Sequence, residues 1–280
     1  MVIDDTGTND VHGPEMYSGE GWPEPVKMIL QEVGIGDYAI DQLSSGTRDS
    51  ILGEIDKMER VHSRKAKNKP KTKKILYGIK APVSMLMLPM FNEYWSSSGG
   101  GGQPGWKFIH VVRDGRDIAF SGNISPVRKF YEFSAKTAGR GGGSSTEVKQ
   151  MQLWNDWNAD VSVWCKREAE RNPNFEVLTI RLEDFVAPET RYSVVKEVAD
   201  FVGSPVGECE LCKVAEKGQR DLGSHSHTGL GVKARYGKWR KKVEGKPGMK
   251  EELEKEGDRG LSMFGYEPWF DFVESSKCSC

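Results

Sequence analysis

Val111-Val-Arg-Asp-Gly-Arg-Asp-Ile-Ala-Phe-Ser121 is the stretch of this chain in which residue types and spacing point most directly to chemistry. The pattern predicts a strand that ends at Arg113, a turn through Asp114 and Gly115, and a helix that carries Ser121 in its second turn. A guanidinium at a strand end and a hydroxyl on the helix that follows can share one anion, and unpaired amides at the helix start would add to the site. The plainer account of the same residues is an Arg–Asp cluster around an ordinary strand-to-helix turn. Two further cations stand at predicted strand ends: Lys80, after Lys74-Ile-Leu-Tyr-Gly-Ile, and Arg181, after Phe175-Glu-Val-Leu-Thr-Ile.

These three cations need a scaffold that gathers strand ends. Each predicted strand, including Trp106 to Arg113, has a β-branched apolar run with helical sequence beyond it. Alternating strands and helices predict a three-layer α/β domain with a parallel sheet, and ligands of such sheets bind at the carboxyl ends of the strands. Val26, Ile29, Leu30 and Val33 predict a helix that Gly34 can end. Ser45 or Thr47 can cap a second helix that holds Ile51, Leu52, Ile55 and Met58. Arg64 to Lys74 is expected to be a solvated basic loop. Ser96 to Gly105 and Gly139 to Thr146 are Gly/Ser-rich loops, and long helices are expected over about 147–171, 189–202 and 249–264.

Composition limits the alternatives. The chain has 280 residues, a formal net charge of −1 and 29 % charged residues, so an anion site must be local, and no global nucleic-acid-binding surface is implied. No run approaches the roughly 18 apolar residues of a membrane span. The five cysteines are an odd number, which argues against a tidy disulfide framework. Cys209-Glu-Leu-Cys212 lacks a well-spaced second pair and is read as local thiols or a short-range disulfide, with no metal expected. His225 and His227 fall in a Ser/Gly-rich stretch and are assigned no role. Gly34-Ile-Gly-Asp-Tyr-Ala39 follows a helical segment rather than a strand, which argues against a nicotinamide site.

The Val111–Ser121 stretch resembles the 3′-phosphate-binding motif of sulfotransferases that use 3′-phosphoadenosine 5′-phosphosulfate (PAPS). Further resemblances follow in the family's order. Tyr77-Gly-Ile-Lys-Ala-Pro82 is similar to its W-G-x-K-x-P element. Ile180-Arg-Leu-Glu-Asp-Phe185 is similar to R-Y-E-D-L, with Leu182 in place of the usual Tyr. Arg235-Tyr-Gly-Lys-Trp-Arg240 is similar to the segment that closes over the nucleotide, and Leu261 to Pro268 to the closing L-x-x-x-G-Y-E-P helix. Asp10-Val-His-Gly-Pro-Glu15 is similar to a segment of the tyrosylprotein, carbohydrate and bacterial branch that carries a catalytic Glu.

The resemblance implies a P-loop-NTPase-like sulfotransferase domain over residues 25–270, after an irregular segment 1–24 and before a tail 271–280. It implies sulfuryl transfer from PAPS, with 3′,5′-ADP as product, to a hydroxyl on a glycan, protein or small molecule. It implies Arg113 and Ser121 on the 3′-phosphate, Arg235, Gly237, Lys238 and Trp239 on the nucleotide, Glu15 as base and Lys80 on the transferring group. Family members occur in the Golgi lumen or as soluble enzymes. The family's P-x-S-G-T-T loop, which holds the 5′-phosphosulfate, is not found; Ser44-Ser-Gly-Thr-Arg48 has similar letters but reads as a helix cap. The resemblance therefore places the first strand and that loop before Met1. A catalytically impaired nucleotide-binding or interaction domain is the alternative.

Overall fold

Segments with an apolar residue every third or fourth position form the helices of this chain, and its β-branched runs form the strands. The computed structural model describes residues 2–3, 23–33, 42–67, 76–77, 82–97, 106–137, 139–140, 143–224 and 237–266. It is a mixed α/β structure, mostly helical, divided into two compact units. One unit comprises residues 1–103 with 132–140, the other 104–131 with 141–280.

The first unit contains strand β1 (Val2–Ile3), helices α1 (Pro23–Glu32) and α2 (Ser45–Lys67), strand β2 (Leu76–Tyr77), a 3-10 turn (Pro82–Met87) and helix α3 (Leu88–Ser97). Val26, Ile29 and Leu30 of α1 and Ile51 and Ile55 of α2 are buried, as their spacing predicts. Met87, Met90 and Phe91 complete this core. The cap of α2 is Ser44, one residue before the predicted start: its hydroxyl accepts the Thr47 amide at 3.3 Å. The Glu32 carboxylate at the end of α1 accepts the Ser44 amide at 3.1 Å and its hydroxyl at 2.7 Å, which joins the two helices. Arg48 pairs with Glu93 at 2.7 Å and Tyr94 donates to Asp56 at 3.1 Å, which ties α3 to α2.

In the second unit, β3 (Trp106–Val112) and β4 (Phe175–Arg181) pair in parallel, from Trp106 opposite Phe175 to Val112 opposite Arg181. Helices α4 (Gly115–Ala119), α5 (Ser125–Thr137) and α6 (Thr146–Arg171) separate these strands, and α5 begins in this unit. Helices α7 (Leu182–Val186), α8 (Arg191–Val202), α9 (Glu208–Ser224), α10 (Trp239–Val243) and α11 (Met249–Met263) follow. The long helices expected over 147–171, 189–202 and 249–264 are α6, α8 and α11. Helix α6 starts where Ser145 accepts the Val148 amide at 3.3 Å. It lies on the sheet face that carries His110 and Phe175, against Asn158 and Trp164. Helix α8 approaches the opposite face, where the Lys107 ammonium sits 4.9 Å from the Phe201 ring centroid. Trp154, Met151 and Val148 of α6 pack with Val112, Ala119, Leu253, Leu261, Phe264 and Tyr266 into one apolar cluster.

Two expectations are corrected. The predicted strand before Lys80 is represented by β2, which pairs antiparallel with β1, Val2 opposite Tyr77, and belongs to the first unit. The parallel sheet of the described residues therefore joins the strands that lead to Arg113 and Arg181, and β2 is not among its strands. An apolar β-branched run marks a strand but does not name its partner. Arg64 to Lys67 continue α2 instead of opening a loop. Lys and Arg are good helix formers and nothing between Met58 and Lys67 breaks the helix, so the charge run extends it.

His110 of β3 is 3 % exposed, on the sheet face that α6 covers. The Asn158 amide group donates to the Trp154 carbonyl at 2.8 Å, so its oxygen faces His110 and accepts from Nε2 at 3.0 Å. Nδ1 has no partner among the described residues. Protonation would bury an unpaired N–H and a charge, so desolvation holds the imidazole pKa below its ordinary value, with the Asn158 bond opposing. Above about pH 6.5 the ring is neutral both folded and unfolded, and below it the unfolded chain takes the proton first, so stability falls. Glu183 and Asp117 are shifted upward by burial and act in the opposite sense, so the comparison must be made against a variant. In urea titrations from pH 8 to pH 5, wild type should lose stability relative to His110→Gln below about pH 6.5. A difference that does not change with pH would contradict this assignment.

Candidate functional site

The turn after β3 is built on buried charge. Asp114 caps α4: its Oδ1 accepts the Arg116 amide at 2.9 Å. The Arg116 side chain folds back on the same carboxylate, Nε to Oδ1 at 3.0 Å and Nη2 to Oδ2 at 2.9 Å. Both side chains are buried. Such a pair persists only when its remaining donors and acceptors are also satisfied. Arg116 Nη2 also donates to the Tyr266 carbonyl at 2.8 Å, and its guanidinium lies 4.4 Å from the Trp239 ring centroid. Gly115 is required here by packing: a Cβ would come within 2.3 Å of the Trp154 ring. That ring is held in turn by edge contacts with Phe264 and Tyr266.

Two more carboxylates fix distant segments to this turn. Glu183, just beyond β4, accepts the Asp114 amide at 3.0 Å with Oε1 and the Tyr266 hydroxyl at 2.7 Å with Oε2. Asp117, on α4, accepts the Gly237 amide at 2.7 Å with Oδ2 and the Trp239 amide at 3.1 Å with Oδ1. Its Oδ2 also lies 3.7 Å from Arg113 Nη2. Burial pushes the pKa of both carboxyls up, and the hydrogen bonds each accepts work against that shift. Tyr266 arrives by a helix-ending device. Gly265, at φ +69, donates to Ser262, and the Tyr266 amide returns to the Leu261 carbonyl at 2.8 Å. The L-x-x-x-G-Y sequence is thus a left-handed cap that turns Tyr266 back onto the strand ends.

Arg113 stands at the carboxyl end of β3 with 31 % of its side chain exposed. Ser121 lies two residues past the end of α4 rather than in a second helical turn, because the helix stops at Ala119. Its hydroxyl accepts the Asn123 amide at 3.2 Å. Gly237 and Trp239 give their amides to Asp117, Lys238 lies between them, and the Trp239 ring is buried against Arg116. Arg181 holds Asp184 through Nε at 2.7 Å and Nη2 at 3.1 Å, and donates to the Gly265 carbonyl at 3.2 Å. A cavity of about 290 Å³ opens beside it, lined in part by Val194, Met263 and Phe264. Glu15, Lys80 and Arg235 lie outside the described residues.

Of the motif residues without an assigned anion contact, Arg116 and Asp117 order the turn. The bridging role of Glu183 and the anchoring role of Tyr266 went unread. A signal for them was present: Asp114, Asp117, Glu183 and Asp184 crowd the same strand ends as Arg113, Arg116 and Arg181. Carboxylates that match cations so closely in number point to a buried network. No helix among the described residues is long and apolar enough to cross a membrane.

Glu183→Gln keeps an acceptor for the Asp114 amide. Its NH2 group can donate to the Tyr266 oxygen while that phenol turns its proton to the Val112 carbonyl, 3.4 Å away. The stability change at pH 7 should stay below about 1 kcal/mol, whereas Glu183→Leu strands the buried amide and should cost about 1–3 kcal/mol. Urea denaturation of the two variants separates these outcomes; equal losses would show that Glu183 is not the bridge.

No protein-family model, no curated protein and no solved structure matches this chain.

Proposed function

We propose that this chain binds PAPS through its 3′-phosphate at Arg113 and Ser121 and transfers the sulfuryl group to a hydroxyl acceptor. The observation that carries this reading is the Asp117 carboxylate, which ties Gly237 and Trp239 to the Arg113 turn across 120 residues of sequence. Two of the sequence elements on which the sulfotransferase resemblance rests are thereby joined by hydrogen bonds. Glu183 and Tyr266, from two others, join the same cluster. On this reading the parallel β3–β4 pair belongs to a P-loop-NTPase-like sulfotransferase fold.

The residues present suit a phosphate ester. Helix α4 has five residues and a length of about 7 Å, so an arginine before it and a serine after it can serve one anion. Lys238 adds a second cation from the segment held by Asp117. Gly237 and Trp239 serve by fixing that segment, since their amides are engaged by the carboxylate. PAPS supplies the activated sulfuryl group and a phosphate leaving group. Transfer to a glycan, protein or small-molecule hydroxyl needs cations on the transferring group and a base for the acceptor's proton. Lys80 and Glu15 take these roles in the proposal, and Arg235 contacts the nucleotide; no metal is invoked.

Two observations favour a second reading, nucleotide binding without transfer. Ser44, in the one stretch with letters like the 5′ loop, spends its hydroxyl on the cap of α2 and on Glu32. Strand β2, which leads toward Lys80, pairs with β1 in the other unit. Transfer of labelled sulfate from PAPS to a panel of hydroxyl acceptors separates the two readings. Both require the 3′-phosphate contact. Calorimetry with 3′,5′-ADP should find Arg113→Ala weaker than wild type by about 1.5–3 kcal/mol, roughly ten- to a hundredfold. Equal affinities would overturn both.

A further inference from the structure

Asp117 has an unusual set of partners. Its side chain is fully buried, yet the partners are two backbone amides of a remote segment and one guanidinium at the site's edge. The Gly237 amide and the Arg113 guanidinium approach the same oxygen, Oδ2, at 2.7 Å and 3.7 Å. The shorter contact is a hydrogen bond. The longer one exceeds hydrogen-bond distance and orients the guanidinium by charge.

Resting on the functional reading above, we infer that Asp117 is a positioning residue that brings Lys238 and Arg113 to bear on one phosphate ester. Gly237 and Trp239 flank Lys238, and both are fixed through their backbones. One carboxylate therefore sets the path of the chain through Lys238 whatever side chains its neighbours carry. Gly237 suits this path because its φ is +70, a left-handed conformation that costs glycine little. Lys238 and Trp239 then enter α10. Asp117 thus does two things at once: it holds the Lys238 segment in place, and it orients the Arg113 guanidinium by charge.

An asparagine at this position keeps one acceptor and presents an NH2 group where a second acceptor is needed. Asp117→Asn therefore loses one of the two backbone bonds and the charge that faces Arg113. Asp117→Glu keeps both acceptors and the charge on a longer arm, and should recover part of the loss. Affinity for 3′,5′-ADP is measured by calorimetry in wild type, Asp117→Asn, Asp117→Glu, Lys238→Ala and the Asp117→Asn/Lys238→Ala double variant. Asp117→Asn and Lys238→Ala should each weaken binding by about tenfold, and the double variant should lose clearly less than the product of the two, because part of the Asp117 effect acts through Lys238. Amide hydrogen exchange should show Gly237 and Trp239 losing protection in Asp117→Asn.

Independent, additive losses would overturn the inference and leave a structural role for Asp117. So would unchanged affinity in Lys238→Ala, a measurement that stands even if Asp117→Asn does not fold. The functional reading fails in a different way, by wild type and Arg113→Ala binding 3′,5′-ADP equally. Wild type binding well, Arg113→Ala binding poorly and Lys238→Ala binding like wild type would reject this inference alone.

Discussion

A carboxylate moved out of water costs several kcal/mol unless it is paired and hydrogen-bonded, and this protein buries three of them just beyond the ends of two paired strands. Asp114, Asp117 and Glu183 are all buried. Each is satisfied by a different partner or set of partners: the neighbouring Arg116 for Asp114, the remote Gly237 and Trp239 amides for Asp117, and the remote Tyr266 hydroxyl for Glu183. The bonds to Asp117 and Glu183 each close a long loop of chain, as does the bond from Arg116 to the Tyr266 carbonyl. The β3–α4 turn, the start of α7, the start of α10 and the end of α11 are fixed together because four segments share one set of charges. A buried ion pair such as Asp114–Arg116 adds little net stability, but losing one partner is expensive, typically about 3–5 kcal/mol. The network therefore specifies an arrangement more than it strengthens the fold.

The apolar side of the same junction is equally constrained. Trp154 packs against Gly115 and Gly260, positions where a Cβ would come within 2.3 and 2.7 Å of its ring. Phe264 and Tyr266 close over its other edges. Glycine at the turn, glycine in α11 and tryptophan in α6 are one packing unit read from three places in the sequence. Arg113, with 31 % of its side chain exposed, stands at the edge of this junction, so the packing behind it is rigid while its guanidinium stays accessible.

Much of the second unit was readable before any coordinates. Helices α6, α8 and α11 follow from apolar spacing and caps, and strands β3 and β4 from β-branched runs followed by helical sequence. The place of Arg113 at the carboxyl end of β3 was also readable, because the β-branched run stops there. Three things were not. The partner of β2 depends on contacts distant in sequence. The end of α4 at Ala119 put Ser121 outside the helix, since the chain breaks its helical hydrogen bonding at Phe120 and Ser121 while the local residues are compatible with another turn. The parts played by Glu183 and Tyr266 arise only when a left-handed Gly265 turns the end of α11 back toward β4. Periodicity reports faces and lengths; it does not report which buried acid will meet which remote donor.

Recognition of a 3′-phosphate by Arg113, Ser121 and Lys238 is the central proposal for this protein. Its most direct test is the calorimetric comparison of 3′,5′-ADP with 5′-AMP on the wild-type chain, because the two ligands differ only by the group these residues are proposed to hold. Binding of 3′,5′-ADP at least about tenfold tighter than 5′-AMP, with the gap narrowing as salt rises, is the predicted result. Equal affinities, or a gap insensitive to salt, would contradict it.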